Sequence, residues 1–402
     1  MQKEQTTTTG SSLIGGILLV AGCCIGAGML GLPVLSAMAG FQPSLVMFVL
    51  SWAYMACTGL LLLEVTLWFQ DDVNIVSMAG RCFGLFGKAV AWVMFLFLFY
   101  CLMVAYIAGS GELFVDFISA MTGATLPAWI GSVLFVLGLG ALLYMGTHAI
   151  DHCNRILMVG LIVSYFVLIG LGSLYVNPSL LSYQNWSLAP LALPAMIVSF
   201  GFHNLVPSLT TYFRRDVARL RAAILIGSAL PLCIYLVWEW LILGLVPVEG
   251  QGGFQEALQR GQLATHVLRS VSGNPWVFDM AQVFAFFAIV TSFVAVALSF
   301  LDFLADGLQV KKVGMRKIGL CCLVLLPPLL FSLAYPQVFL MALNYAGGIG
   351  AVILFGILPA AMVWRVRYYN HSKVAPLVPG GKVTLAIIIT ISVAIVILQM
   401  TQ

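Results

Sequence analysis

Long apolar runs separated by short polar stretches dominate the chain. No Asp, Glu, Lys or Arg occurs between Glu4 and Glu64, between Arg155 and Arg214, or between Lys317 and Arg365. About 20 apolar residues cross a bilayer as a helix, so each of these runs can hold two spans. The pattern predicts eleven spans, at 12–38, 43–68, 89–117, 128–146, 156–176, 190–212, 222–246, 276–304, 318–335, 337–363 and 382–402. Turn-forming and polar residues recur between them: Gln70-Asp71-Asp72, Asn177-Pro178, Asn274-Pro275 and Pro379-Gly380-Gly381. The shortest separator is Tyr335-Pro336-Gln337.

Composition agrees with the pattern. The 402 residues are 62% hydrophobic and 8% charged, with a mean hydropathy of +1.07. A soluble protein of this size cannot cover its surface with so few charges, so lipid is the implied partner. Ala37-Met38-Ala39 looks like a signal-peptidase site, but the apolar stretch before it is too long for a signal. It reads as a retained first helix.

Charge orients the spans. Of the 18 Lys and Arg, only Arg260 and Arg269 fall in loops that lie outside if the N-terminus is cytoplasmic. The expected location is a membrane, with the N-terminus cytoplasmic and the C-terminus outside. The net charge of +4 is not gathered on a polar domain, so nucleic acid is not an expected partner. Seven of the nine cysteines lie in apolar runs, and Cys82 and Cys153 lie in cytoplasmic loops; no disulfide framework or metal spacing is visible. The longest external loop, 247–275, holds an amphipathic stretch, Phe254–Val271, expected to form a lid or cap.

Two spans are interrupted at mid-depth. The first carries Gly22-Cys23-Cys24-Ile25-Gly26-Ala27-Gly28 ahead of Pro33, and the sixth carries Phe200-Gly201-Phe202-His203-Asn204 ahead of Pro207. Glycine weakens a helix and proline removes a donor. Such breaks survive in hydrocarbon only where protein or a polar cavity surrounds them. Each is the first span of a five-helix half, the arrangement of transporters built from inverted repeats. The expected units are a tail 1–11, a first repeat 12–176, a second, inverted repeat 190–363 and an eleventh helix 382–402.

Five stretches carry a family resemblance: Ala21–Pro33, Ala105–Leu113 (AYIAGSGEL), Ser199–Leu209 (SFGFHNLVPSL), Leu301–Leu308 (LDFLADGL) and Asn344–Gly347 (NYAG). Over essentially the whole chain the sequence resembles the hydroxy and aromatic amino acid permease family, in particular its tyrosine-specific members. The resemblance implies an all-α membrane protein of the leucine-transporter type. It also implies uptake of tyrosine or a related aromatic amino acid, driven by an ion gradient that is usually protons. Two features depart from the family: Cys23-Cys24 stands where relatives often carry two threonines, and Leu161 stands where tyrosine permeases carry a lysine. Related proton-coupled transporters hold that lysine where others bind sodium, so the coupling ion is a proton or a sodium ion.

An amino acid presents a carboxylate, an ammonium and a side chain. Exposed backbone around Gly26, Ala27 and Gly28, ahead of a half-helix, suits the carboxylate. Carbonyls ending a half-helix near Phe200 and Gly201 suit the ammonium. Phe202, His203 and Asn204, with Tyr100 and Tyr106 of the third span, are candidates for an aromatic slot. Ion-coupling candidates are Thr291 and Ser292, backbone around Cys24 and Ile25, and Glu112, an acid inside the third span. Glu64 reads as an interface residue and Glu239 as either a scaffold or a transport group. Asp302 and Asp306 could gate by pairing with loop arginines. His148, His152 and His371 read as solvated loop residues. The sequence shows no H-E-x-x-H or G-x-S-x-G motif for an embedded enzyme, no repeated filter for a channel and no P-loop for ATP-driven pumping. No cofactor is expected.

Overall fold

The computed structural model describes residues 12–401 apart from 70, 72, 124–125, 272–274 and 371–373. The expected tail 1–11, and the loop residues Gln70, Asp72, Asn274, His371 and Lys373, lie outside the described residues. Among the described residues the regular structure is helical throughout. Ten helices are long and apolar enough to cross a membrane, and a bent pair makes an eleventh span.

The bent pair is the first span. It consists of α1 (Leu13–Cys24) and α2 (Gly28–Ser36), which meet at 57°. α3 (Phe41–Trp68), α4 (Ile75–Thr122), α5 (Ala128–Met145) and α6 (Thr147–Gly172) complete the first half. The sixth span, Trp186–Tyr212, contains α7 (Leu193–Ser199) and α8 (Val206–Tyr212), separated by six residues without α-helical structure. α9 (Val217–Leu245) leads into two short helices, α10 (Phe254–Arg260) and α11 (Ala264–Val271). α12 (Pro275–Gly307) and α13 (Gly314–Ala334) follow. The tenth span joins α14 (Phe339–Tyr345) to α15 (Leu358–Tyr368) through a π-helical stretch, Ala346–Ile357, and α16 (Gly381–Thr401) ends the chain.

Two spans begin earlier than hydropathy suggests. α4 starts at Ile75, where the Asn74 side chain accepts from the Ser77 N–H in a capping box, and it kinks at Gly84, whose φ is +66°. Residues 75–88 are therefore largely helix, where the sequence pattern suggested a loop. α6 starts at Thr147, so His148, His152 and Cys153 are helical, not loop residues; Asp151 and Arg155 pair at 2.9 Å across one turn of that helix.

Glu64 is also corrected. It is 1% exposed, not interfacial, and the Arg367 guanidinium donates to both its oxygens at 2.6 Å. The Leu377 N–H donates to it at 2.9 Å. A buried carboxylate is tolerated when a bidentate arginine and a backbone donor satisfy it together. Asp302 pairs with a lysine, Lys312, at 2.8 Å.

The lid expected from 254–271 is a helix pair. Phe254, Ala264 and Leu268 are fully buried, and both α10 and α11 pack on α2. The His266 ring approaches Glu112 of α4 to 2.7 Å and ties the lid to the third span.

Candidate functional site

A cavity of about 350 Å³ lies between the two helix breaks. Its wall includes Cys24, Ile25, Gly26 and Gly28 of the first break, and Ser199, Gly201 and Asn204 of the second. α4 contributes Leu98, Phe99, Leu102 and Tyr106; α6 contributes Asn154 and Met158; α12 contributes Thr291, Ser292, Val296 and Ser299. Phe355 of the π stretch closes one side. Among the described residues, no Asp, Glu, Lys or Arg lines it. A wider cleft of about 500 Å³ near Thr66, Arg214 and Arg215 touches neither break.

The first break is held by side chains from other helices. At the end of α1, Ile25 is extended (ψ 114°), so the chain leaves the helix there. The Tyr235 hydroxyl donates to Cys24 O at 2.6 Å and faces Ser199 O at 3.0 Å, joining the two breaks. Trp238 Nε1 donates to Met29 O at 2.9 Å. Ser292 Oγ accepts from the Ala27 N–H at 2.8 Å. The Tyr235 and Ser292 contacts satisfy backbone groups at the break, and Trp238 satisfies Met29 O, whose helical donor position is taken by Pro33.

Glycine gives the closest fit here. A Cβ on Gly26 would collide with the Ser292 hydroxyl, and one on Gly28 would sit 2.8 Å from Ser199 Oγ. At the N-terminal end of α2, Gly26 and Gly28 therefore reach the cavity wall without side chains, near Ser199 at the C-terminal end of α7.

The structure distributes the candidates named from sequence between the wall and the layer behind it. Cys24, Ile25, Gly26, Gly28, Tyr106, Gly201, Asn204, Thr291 and Ser292 line the cavity. Ala27, Phe200, Phe202 and His203 are fully buried outside the wall. The His203 ring stacks between Phe202 and Phe355, with centroids at 4.9 and 4.7 Å, and its Nε2 meets Thr58 Oγ1 at 3.0 Å. Phe200 packs edge-on against Tyr235. Tyr100 turns away, its hydroxyl donating to Leu323 O at 3.0 Å. Glu112 is at the lid, its side chain 56% exposed. Thr291 donates back to Phe287 O at 2.8 Å. Sequence reading did not single out Tyr235, Asn154 or Phe355. The only signal for Tyr235 was its place one turn before Trp238 and Glu239 on a single helix face.

Residues 9–399 match the model of the tryptophan/tyrosine permease family. The chain belongs to that family. The permease is 32% identical over 393 residues to tyrosine-specific transport system 1 of Haemophilus influenzae, covering 95% of each chain. It is 30% identical over 405 residues to a tryptophan-specific transport protein of the same organism, covering 96% of this chain and 95% of that one. The crystal structure of MhsT in complex with L-phenylalanine superposes with a TM-score of 0.67 over 98% of both chains, at 14% identity. The permease thus has the leucine-transporter-type fold and is a multi-pass membrane transporter, not an enzyme.

This geometry suits a particular kind of ligand. The N-terminal end of α2 and the carbonyl end of α7 offer opposite partial charges at the two breaks. The remainder of the wall is mostly apolar or aromatic. A site without fixed charge favours a molecule that is neutral overall, carries both signs, and buries an apolar side chain.

Proposed function

We propose that the permease imports tyrosine across a bacterial inner membrane by symport with a proton. The observation that carries this reading is the pair of breaks facing each other across one uncharged cavity. Zwitterionic backbone groups fit the breaks, and a ring fits the slot made by Leu98, Phe99, Leu102, Met158 and Phe355. The tyrosine-specific relative, at 32% identity, supports that substrate. On this reading 12–176 and 190–363 are the two inverted repeats and 382–402 is an added helix.

The proton is assigned to Glu239. It is fully buried in α9, one oxygen contacts the Ser36 hydroxyl of α2, and the other has no hydrogen-bond partner. A lone charge at such a place is costly, so the carboxyl serves as a proton site better than as a fixed anion. Sodium is the second reading. Thr291 and Ser292 stand beside the Cys24 and Ile25 backbone, and Leu161 leaves no ammonium nearby in α6. Against it, Ser292 Oγ and Cys24 O already accept hydrogen bonds, and Thr291 bonds to its own helix.

Purified protein in proteoliposomes separates the two. An imposed proton gradient is expected to drive labelled tyrosine uptake, with sodium having no effect and Thr291→Val unchanged. Sodium-dependent uptake that disappears in Thr291→Val would establish the second reading instead. Counterflow of tyrosine by no preparation would remove the transport reading for this substrate.

Orientation follows from the charge asymmetry, with only Arg260 and Arg269 of 18 cations expected outside. Cysteines placed at Gln251 and at Arg219, in a background without native cysteines, are expected to react with an impermeant thiol reagent from opposite sides. Reaction of both from the same side would contradict this topology.

A further inference from the structure

The cavity opens on the side of the breaks where the chain begins. Its exposed lining residues are Cys23, Asn204, Ala295 and Ser299. Cys23 is near the end of α1, Asn204 leads into α8, and Ser299 lies in the last third of α12. The other side is closed by α2, where every residue from Met29 to Ser36 is buried. α2 is covered in turn by the lid. Phe254 of α10, and Ala264, Val267 and Leu268 of α11, are buried, and both helices pack on α2. The path to the breaks from the lid side therefore runs through α2 and its cover.

A histidine is a costly residue for such a cover. The His266 side chain is 12% exposed, with Nδ1 2.7 Å from Glu112 Oε2 of α4. Its Nε2 is buried and has no hydrogen-bond partner among the described residues. An aliphatic side chain would close the same gap without burying a bare nitrogen. The imidazole weakens the closed lid and not the open one, because both nitrogens and Glu112 regain water when they part. The Glu112 contact offsets this cost and gives the closed position a direction that apolar packing lacks. A pair built in this way holds the lid without sealing it.

We propose that α10 and α11 form a moving gate over α2 and that Glu112–His266 is its latch, parting and re-forming each time the cavity changes sides. The inference rests on the transport reading above, but not on which amino acid or ion is carried.

Cys23 is exposed in the cavity and serves as a native reporter. The test uses the full-length protein with Cys23 as its one cysteine, in right-side-out membrane vesicles. An impermeant thiol reagent applied from the lid side reaches Cys23 when the gate is open. In Glu112→Ala the imidazole loses its partner, so the closed lid is disfavoured and this reaction is expected to quicken about tenfold. In His266→Leu the bare nitrogen is gone, so the closed lid is favoured and the reaction is expected to slow about threefold or more. A contact that merely supports the fold would move both variants the same way. Changes of equal sign, or no change in either, would overturn the proposal. A second measurement serves should either variant fail to fold. Glu112→Cys and His266→Cys, in a background without native cysteines, are joined by a short bifunctional thiol reagent. Counterflow is expected to stop in the linked protein and to return when a reductant cleaves the link. Undiminished counterflow in the linked protein would overturn the latch. Wild-type protein that exchanges no aromatic amino acid would overturn the transport reading itself, before any variant is made.

Discussion

Gly28→Leu is expected to reach the membrane in normal amount and to carry no measurable substrate. The residue lines the cavity, and even its Cβ would stand 2.8 Å from Ser199 Oγ across the gap between the two breaks. A leucine side chain continues into the space where a carboxylate meets the start of α2. Insertion is not threatened, because the change adds apolar surface to an apolar span. Overpacking typically costs about 1–3 kcal/mol, and loss of backbone access to the ligand adds to this, so uptake should fall by about 100-fold or more. Gly28→Ala is the graded companion. The serine hydroxyl can rotate away from a methyl group, and a loss of about tenfold is expected. Uptake in proteoliposomes, set against monodispersity in detergent, checks both. Normal affinity in Gly28→Leu would remove this residue from the site.

Glu239→Gln is expected to uncouple transport without stopping it. Glutamine keeps the size of the side chain and its capacity to bond Ser36, but it takes up no proton in the working range. Exchange of tyrosine for tyrosine needs no net proton movement, so counterflow should stay within about threefold of wild type. Net accumulation is different. A zwitterion moving with one proton carries one positive charge, and about 2.3 kcal/mol per 100 mV of potential corresponds to accumulation of about 50-fold. In the variant the internal concentration should only equal the external one. Full accumulation driven by protons in Glu239→Gln would show that the proton is carried elsewhere. Loss of counterflow as well would mark Glu239 as a support for α2.

The spans and breaks were legible because their signals are local. Charge-free runs marked the helices. Gly26, Gly28, Gly201 and Pro207 marked the interruptions. The misplaced starts of α4 and α6 have a common cause. Arg81 and Lys88, and Asp151 and Arg155, lower the hydropathy of turns that extend beyond the lipid, although the Asp151–Arg155 spacing is itself a helical signal. Which side of the second break faces the cavity was not legible. Residues 200–205 leave the α-helical period, with a 3₁₀ turn at His203–Leu205, so Gly201 and Asn204 reach the wall while Phe202 and His203 pack behind it. Contacts across the chain were beyond pattern reading altogether. Tyr235 lies 211 residues from Cys24, and Arg367 lies 303 from Glu64.

The Tyr235 hydroxyl has one hydrogen and two carbonyls within reach, Cys24 O at 2.6 Å and Ser199 O at 3.0 Å. A phenol donates only once, so the two helix breaks compete for a single bond. If the first break swings away, the hydrogen passes to Ser199; if the second withdraws, Cys24 keeps it. In either displacement the donor stays satisfied, and the cost of moving is that of one carbonyl and not of a whole broken pair. A donor shared in this way would leave neither arrangement of the breaks clamped. A transporter must pass between its states in both directions, and a contact that clamped either arrangement would slow the cycle as surely as one that was missing.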